Sequence, residues 1–276
     1  MKLAPFRIEV TAGGEPLRSP ILRVEIGLAV DRPDRLEILT APTAASSREV
    51  AGDGVVATLD GVILFSGRID RSGLSLDSLH GRTGRLVAYS RYHRLRRGKL
   101  PQCWYQTTDS EAAERLASAL ELAPRVERTT RVHASLERHT DPLRFLRERA
   151  VECGFQLAVT GGRLYFSREL PALDSILCIS RRGEILSLDV EERVGPSCAL
   201  TGGQLEVELD SRFRPLTLLD LNGLDGRDGG LYRSVRVMHT IDSDGGRTRV
   251  EFVERGLDYA LWRGRDPESE VFDLEK

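Results

Sequence analysis

Cysteine, histidine and clustered carboxylates most often build catalytic and metal sites, and in this 276-residue sequence they are widely spaced. No two cysteines form a Cys-x-x-Cys pair, which is the spacing typical of zinc sites and redox-active disulfides. The four cysteines are Cys103, Cys153, Cys178 and Cys198. The sequence therefore predicts reduced, unpaired cysteines and neither a zinc site nor a disulfide framework.

The histidines and one acidic turn are the remaining candidates for metal binding. His133 and His139 stand six residues apart without a cysteine or carboxylate at ligand spacing, so we expect ordinary surface histidines. His239 falls in a strand pattern, where a hydrogen-bonded structural histidine is the default interpretation. Residues 242–246 read Asp-Ser-Asp-Gly-Gly, but they lack the terminal Glu of an EF-hand, so a hairpin turn is predicted.

A dense basic run covers residues 91–100, Arg-Tyr-His-Arg-Leu-Arg-Arg-Gly-Lys-Leu. Together with Tyr89, Tyr92, Trp104 and Tyr105 it could form a nucleic-acid-binding patch, because bases stack on aromatic rings beside basic side chains. The competing interpretation is a charged linker between two domains. The linker is the favoured interpretation, so we do not expect nucleic acid as a partner. A nucleic-acid-binding module using residues 91–99 is kept as an alternative function.

No nucleophile elbow, glycine-rich phosphate loop or His-Glu-x-x-His helix occurs in the sequence. We therefore predict no catalytic, cofactor-binding or metal-binding residues, no cofactor, and a structural or interaction protein rather than an enzyme. The enzymatic alternative is an accessory cell-wall hydrolase. Such an enzyme would need a cleft with converging polar side chains.

The clearest local pattern covers residues 140–166, which predict a helix followed by a β-hairpin. Asp141 is a suitable N-cap, Pro142 suits the first helical position, and Gly154 can adopt the left-handed conformation that ends a helix. Leu143, Leu146, Ala150 and Cys153 recur at helical spacing and predict the buried face, whereas the opposite, solvated face would carry Arg144, Arg147, Glu148 and Glu152. Residues 161–162 are both glycine and predict the hairpin turn.

Short alternating strands before and after this unit predict antiparallel β structure. The clearest hairpin pairs residues 55–59 with 62–69 through Asp60 and Gly61, and a Ser- and Gly-rich loop follows it. Thr108 and Glu111 have the spacing of a helix capping box. The predicted fold is mainly β with an α+β insert, in which two small antiparallel β-barrel domains flank an α/β middle domain.

We divide the chain into four parts. These are a first β-barrel domain (1–98), an α/β middle domain (99–172), a second β-barrel domain (173–262) and a charged C-terminal tail (263–276). We expect the two barrels to superpose despite little sequence likeness. Residues 1–100 carry 16 basic and 11 acidic side chains, and residues 201–276 carry 11 and 16, within a net charge of −2. No apolar run suggests a signal peptide or a membrane span.

The helix and hairpin at 140–166 resemble the middle domain of baseplate hub proteins, found in contractile phage tails and related injection machines. That family includes the late control protein D group and the hub part of VgrG. Residues 65–69 and 229–239 resemble hairpins of the family's first and last barrels. The matching residues of the middle domain are Asp141, Phe145, Leu146, Arg149, Ala150, Gly154, Phe155, Gly162, Leu164 and Phe166.

The resemblance implies a structural hub, assembled in the cytoplasm into a phage tail or injection particle. It implies a homotrimer that joins a hexameric tail tube to a trimeric spike among other baseplate components, because three chains with two barrels each would present six units. The sequence stops after the second barrel, so a separate spike protein is expected. Hairpins 55–69 and 231–254 are expected to line the ring or its subunit contacts.

Overall fold

The computed structural model describes residues 7–17, 19–41, 52–77, 81–96, 101–171, 176–179, 185–194, 199–221, 224 and 230–256. Within them the strands, in chain order, are β1 (Ile8–Ala12), β2 (Glu15–Pro16), β3 (Ile21–Ala29), β4 (Arg35–Thr40), β5 (Gly54–Leu59), β6 (Val62–Asp77), β7 (Gly81–Tyr89), β8 (Gln102–Thr108), β9 (Ala123–Val126), β10 (Val132–Arg138), β11 (Gln156–Thr160), β12 (Arg163–Ser167), β13 (Leu177–Cys178), β14 (Ile185–Val194), β15 (Ala199–Glu208), β16 (Leu218–Asp220), β17 (Leu231–Asp242) and β18 (Gly245–Glu254). The helices are a 3-10 helix (Arg91–Arg96), α1 (Asp109–Ala119) and α2 (Pro142–Cys153).

One large sheet, almost entirely antiparallel, dominates the fold. It holds thirteen of the described strands, and its main path runs β14-β15-β18-β17-β3-β4-β7-β6-β5-β1-β2. The predicted mainly β fold is therefore confirmed. The N-terminal and C-terminal β segments are hydrogen-bonded to each other through β3 and β17, so they share one sheet instead of forming two separate ones. The domain boundaries remain a prediction.

The large sheet contains the same four-strand arrangement twice. Unit 1 comprises β3, β4, β6 and β7, and unit 2 comprises β14, β15, β17 and β18. Each unit has two antiparallel pairs of strands. When the four strands of a unit are numbered in chain order, their order across the sheet is 1-2-4-3 in both units: β3-β4-β7-β6 and β14-β15-β18-β17. The units lie side by side, so that β17 of unit 2 pairs with β3 of unit 1.

Irregularities in the strands occur at corresponding places in the two units. The first strand is bulged between Ile21 and Arg23 in unit 1 and between Ile185 and Ser187 in unit 2. The third strand is bulged between residues 69 and 71 and between residues 234 and 236, respectively. Because a bulge bends and twists a strand locally, matching bulges indicate that the two units share one backbone shape.

The repeat is also visible in sequence once the strands are aligned. Residues 21–30 read ILRVEIGLAV and residues 185–194 read ILSLDVEERV. Gly81 and Gly245 begin the last strand of their units, and both have positive φ angles of 70° and 131°. The expectation that the two β segments superpose despite little sequence likeness stays a prediction.

Strand β6 is longer than the sequence predicted. It extends through Asp77, whereas the alternation suggested a strand that ends at Ile69 and a loop rich in Ser and Gly. Leu74 and Leu76 continue the period-two pattern, and pairing with β7 satisfies the backbone, so weak intrinsic β propensity is overridden. The pairing of β6 with β7 therefore continues as far as Asp77 and Gly81.

The middle segment confirms the predicted helices. Thr108 and Glu111 form the capping box of α1. Asp141 caps α2 through its side chain, which accepts a hydrogen bond from the Arg144 N–H, and Gly154 ends α2 with a φ of 67°. Two features were not predicted: the pair of β8 with β10, and β9, which contains Pro124 and runs parallel to the hairpin strand β12.

Three groups of buried apolar side chains hold the structure together. The largest lies beneath the sheet and draws on both units, for example Ile26 and Ile38 with Val237 and Phe252. A second fills the middle segment around Leu146. The third joins the middle segment to the sheet through eight residues: Val30, Ala158, Tyr165, Leu170, Leu200, Leu216, Val235 and Val253.

Some predicted features lie outside the described residues. They are the end of the basic run at 97–100, Cys198 and the tail at 263–276. Within residues 215–221, the short strand β16 covers Leu218–Asp220. Among the described residues, no helix combines the length and apolar character needed to cross a membrane.

Candidate interaction surface

The face of the large sheet opposite its core is lined by charged side chains. Along β3, Val24 and Ile26 are fully buried, while Arg23 and Glu25 point the other way and form an ion pair. The alternation continues on β4, where Ile38 is buried and Glu37 projects to the charged face. This polar side of the sheet is what the period of two in the sequence predicts for a half-buried strand.

Ion pairs across neighbouring strands balance the charges of this face. The Arg85 Nε atom lies 2.7 Å from Glu37 Oε1, and Glu206 pairs with Arg249 at 3.1 Å and with Arg247 at 3.7 Å. A shallow depression of about 430 Å³ lies over the junction of the two units; its lining is Arg23, Glu25, Glu206, Met238, Thr240, Asp242, Arg247 and Arg249. Because both signs alternate, this surface does not present the single-signed field that attracts nucleic acid.

A nearly buried ion pair joins the two units and the middle segment. The Arg236 Nη2 atom lies 2.5 Å from Asp31 Oδ2, and Arg236 Nη1 lies 3.6 Å from Glu251. Arg147 of α2 donates a hydrogen bond to the Asp31 carbonyl oxygen. Arg147 was predicted to lie on the solvated face of α2, which is wrong because its long side chain reaches across to the first β segment.

The pKa values of Asp31 and Asp34, two carboxyl groups near this junction, are shifted in opposite directions. Burial alone would raise the pKa of Asp31, but the hydrogen bond and charge of Arg236 outweigh burial and hold that pKa below 3.8. For Asp34, burial raises the pKa to about 7, against the opposing effects of the Ala29 N–H, the Arg214 charge and Ser90. A buried carboxylate that is paired with a guanidinium and one that has only neutral hydrogen-bond partners thus titrate in different pH ranges.

The middle segment contains one cluster of residue types that catalysis uses. Asp109 is 2% exposed, and its carboxylate lies 2.9 Å from His133 Nε2 and 2.9 Å from Arg149 Nε. Burial raises the pKa of the Cys153 thiol to about 11, and the neighbouring Asp109 adds to this effect. A thiol must be a thiolate to act as a nucleophile. The cluster therefore acts as a buried polar link between α1, β10 and α2.

This cluster is the part of the site that sequence reasoning missed. His133 was expected at the surface, but its side chain is only 11% exposed and is bonded to Asp109, which lies 24 residues away. His139 is exposed, as expected, beside Glu137. In the part of the chain that the structure describes, no three His, Cys, Asp or Glu residues are grouped to hold a metal ion.

His239 is fully buried on β17, where Nδ1 lies 3.0 Å from Thr248 Oγ1 of β18. Burial lowers the pKa of His239 to about 4. The ring is therefore neutral at physiological pH, which agrees with the structural role predicted from its strand position. The acidic turn after β17 is the hairpin turn that the sequence predicted, joining β17 to β18.

The aromatic side chains near the basic run are mostly engaged within the protein. Tyr92 is buried, and its hydroxyl accepts a hydrogen bond from the Gly162 N–H. Tyr89 stacks on His93 with ring centroids 4.7 Å apart, and Trp104 packs against Phe145. Of the four rings that a base-stacking surface would use, Tyr105 is the strongly exposed one, at 72%. The described part of this run thus favours a structural connection between segments.

Two of the edges that no described strand covers in the large sheet carry large exposed apolar side chains. The outer edge of β14 pairs with no described strand, and the outer half of β6, beyond Ile69, pairs only with β7. Large apolar side chains are exposed at both places: Leu74 by 58%, Leu76 by 85% and Leu186 by 54%. Exposed strand edges with apolar side chains are surfaces that readily pair with another chain.

The chain matches no protein-family model and no curated protein at the level of sequence. Solved structures, in contrast, are similar over nearly the whole chain. The 43 kDa tail protein of prophage MuSo2 from Shewanella oneidensis has a TM-score of 0.70 at 11% identity, covering 91% of this chain and 97% of that one. The tail protein from Neisseria meningitidis MC58 has a TM-score of 0.67 at 14% identity, with 94% and 98% covered.

A third similar structure is the E. coli c3393 protein, a component of the type VI secretion system that exhibits structural similarity to the T4 bacteriophage tail proteins gp27 and gp5. Its TM-score is 0.69 at 15% identity, and the match covers 91% of this chain and 79% of that one. The chain therefore has the fold of these phage tail and type VI secretion proteins.

Proposed function

We propose that this chain is a structural baseplate hub of a contractile tail or injection particle. Three copies would form a ring that joins a hexameric tail tube to a trimeric spike. The fold shared with phage tail proteins and a type VI secretion component supports a structural role in such a particle. We retain the proposed division into β domains at 1–98 and 173–262 around a middle domain at 99–172.

The observation that carries this proposal is the internal repeat of the sheet. Units 1 and 2 have the same strand order and the same bulges, and they lie side by side through the β3–β17 pair. A trimer of such chains would place six similar units around one axis. That arrangement can match a three-fold partner on one side and a six-fold partner on the other, since every chain offers one copy of the middle segment but two β units.

The contacts that join the two units support an adaptor through which force can be transmitted. Units 1 and 2 share one hydrophobic core, and the ion pair of Asp31 with Arg236 links them on the other face. Arg214 adds a second connection, because its guanidinium donates hydrogen bonds to the carbonyl oxygens of Ile63 and Leu64. A hub that transmits the force of tail contraction needs units that do not move independently.

The test is the stoichiometry of the assembly. The chain is produced together with candidate tube and spike proteins from the same source, and the complexes are measured by native mass spectrometry. We expect three copies of this chain per spike, with the tube protein bound in multiples of six. The chain measured alone is the control, because trimerisation could depend on the spike.

A chain that stays monomeric with both the spike and tube proteins present would overturn the adaptor mechanism. The two alternatives are tested on the same sample. A cell-wall hydrolase accessory would cleave peptidoglycan, and a nucleic-acid-binding module would bind DNA with an affinity that falls steeply with salt. We expect neither activity.

A further inference from the structure

The internal junction of the two units shows how this sheet accepts a further strand. Strand β17 is the third strand of unit 2, and it pairs with β3, the first strand of unit 1. The corresponding third strand of unit 1 is β6, and the corresponding first strand of unit 2 is β14. In the described residues, β14 and the outer half of β6 each have one edge that pairs with no other strand.

We propose that the outer half of β6, residues 71–77, pairs antiparallel with β14 of a second copy of this chain. This contact would repeat the β17–β3 junction between chains. The strand pairing itself follows from the internal repeat, and only the number of copies that close the ring rests on the proposed function.

The register of the contact follows from aligning the two units on their bulges. Within the chain, Ile241 lies opposite Val24, and His239 lies opposite Ile26. The bulges align Leu74 and Leu76 of β6 with His239 and Ile241 of β17. They likewise align Leu188 and Val190 of β14 with Val24 and Ile26 of β3. Leu76 would face Leu188 of the second copy, and Leu74 would face Val190 of the second copy.

Burial and exposure agree with this register. Leu74 and Leu76 occupy the positions of His239 and Ile241, which are 0% and 5% exposed on β17. On β6 no described strand covers them, so they are 58% and 85% exposed. Leu188 and Val190 of β14 already pack against the edge of the large core. The contact would extend that core across the boundary between copies and would cover two exposed leucines.

The opposite face of the contact brings unlike charges together. In the same register Glu191 of the second copy would lie opposite Gly73, which has open space above it and pairs with Arg85 on its other side. Glu191 would thereby approach the basic side chains of the β6–β7 hairpin. The like-charged pair in the register is Arg71 opposite Arg193 of the second copy, and Arg193 is already held by Glu191 of its own strand at 2.8 Å.

A contact between two different edges is heterologous, so repeating it produces a ring or an open filament, not a two-fold dimer. Each chain would contribute one internal junction and one junction to its neighbour. Because both junctions use the same strands of the unit in the same register, successive units would be related by the same rotation. Equal rotations are what a closed ring requires.

Disulfide cross-linking tests the register. Gly73→Cys is combined with Glu191→Cys in a chain that carries Ser in place of Cys103, Cys178 and Cys198. Opposed residues on paired strands have Cα atoms about 4.5–5.5 Å apart, which a disulfide can span. The matched control combines Gly73→Cys with Ser187→Cys, whose Cα atoms would be about 13 Å out of register. We expect the Gly73→Cys, Glu191→Cys chain to form disulfide-linked multimers and the control chain to form none.

A second variant tests the apolar side of the same contact. Leu76→Glu should abolish cross-linking and shift the assembled chain to the mass of a single copy, because an unpaired carboxylate would be buried in the contact. Val151→Glu is the control, since Val151 is a similarly exposed aliphatic residue on α2, at 74% exposure. Both side chains are exposed in the single chain, so neither change should unfold it, and circular dichroism checks this.

The outcomes separate this inference from the proposed function. Equal cross-linking of the two cysteine pairs, or none in an assembled trimer, would overturn the β6–β14 contact while leaving the trimeric hub intact. Specific cross-linking that yields open filaments, with no trimer on the spike, would support the contact and overturn the adaptor. A chain that remains monomeric at high concentration and with its partners would refute both.

Discussion

Arg236 Nη2 lies 2.5 Å from Asp31 Oδ2, and this ion pair connects the end of β3 to β17 at the junction of the two units. Both side chains are nearly buried, at 10% and 15% exposure. We expect Asp31→Ala to lower the free energy of unfolding by about 3–5 kcal/mol, because it leaves Arg236 without its closest partner. Glu148→Ala, which removes an exposed pair with Arg144, should change it by less than about 0.5 kcal/mol.

The same ion pair should make the chain sensitive to acid. The pKa of Asp31 is lower in the folded chain than the ordinary value of 3.8. Its contribution to stability is therefore complete above about pH 4 and is lost as the pH falls through the lower, folded pKa. Urea unfolding measured from pH 7 down to pH 3 should show this loss in the natural chain and a smaller one in Asp31→Ala. Identical pH profiles would mean that the pair does not stabilise the fold.

Asp34 should give the opposite dependence on pH. Burial raises its pKa to about 7 in the folded chain, whereas the ordinary value is 3.8. Protonation of Asp34 thus favours folding, so its contribution is complete below about pH 4 and is lost as the pH rises through about 7. We expect Asp34→Asn to flatten the stability profile between pH 4 and pH 7 and to raise stability above it. Thermal unfolding over this range is the measurement, and an unchanged profile would contradict it.

The core of the middle segment should depend on one face of α2. Phe145 is 4% exposed and Leu146 is fully buried. We expect alanine at either position to cost about 2–5 kcal/mol of unfolding free energy, because the buried volume is left empty. Arg144→Ala should cost less than about 0.5 kcal/mol, and Arg147→Ala should cost about 1.5–3 kcal/mol because it removes the bond to the Asp31 carbonyl. Equal losses at all four positions would show that the face is wrongly assigned.

Cys153 should be an unreactive thiol. With a pKa of about 11, its thiolate fraction at pH 8 is on the order of a hundredfold lower than that of an ordinary cysteine. During alkylation by iodoacetamide, peptide mass analysis should find the exposed Cys103 and Cys178 modified first and Cys153 last. Rapid modification of Cys153 in the folded chain would instead indicate an activated nucleophile beside Asp109 and would favour the enzymatic alternative.

Local sequence determined those parts of the fold that depend on neighbours in the chain. The capping box of Thr108 and Glu111, and the caps of α2 at Asp141 and Gly154, were predictable because a helix terminus is satisfied by residues within one turn. The hairpin turn at Asp60 was predictable for a similar reason, since a two-residue turn demands particular side chains. Period-two alternation likewise identified most strands of the large sheet.

Tertiary structure decided what depends on residues far apart in sequence. The length of β6 rests on its pairing with β7, which allows Ser- and Gly-rich residues to remain in a strand. His133 meets Asp109, and Arg236 meets Asp31, only because the chain folds back over 24 and 205 residues. The pairing of β3 with β17 joins the ends of the chain into one sheet, and no local pattern specifies which edges meet. Strand edges are chemically alike in their backbone groups, so the choice of partner belongs to the whole fold.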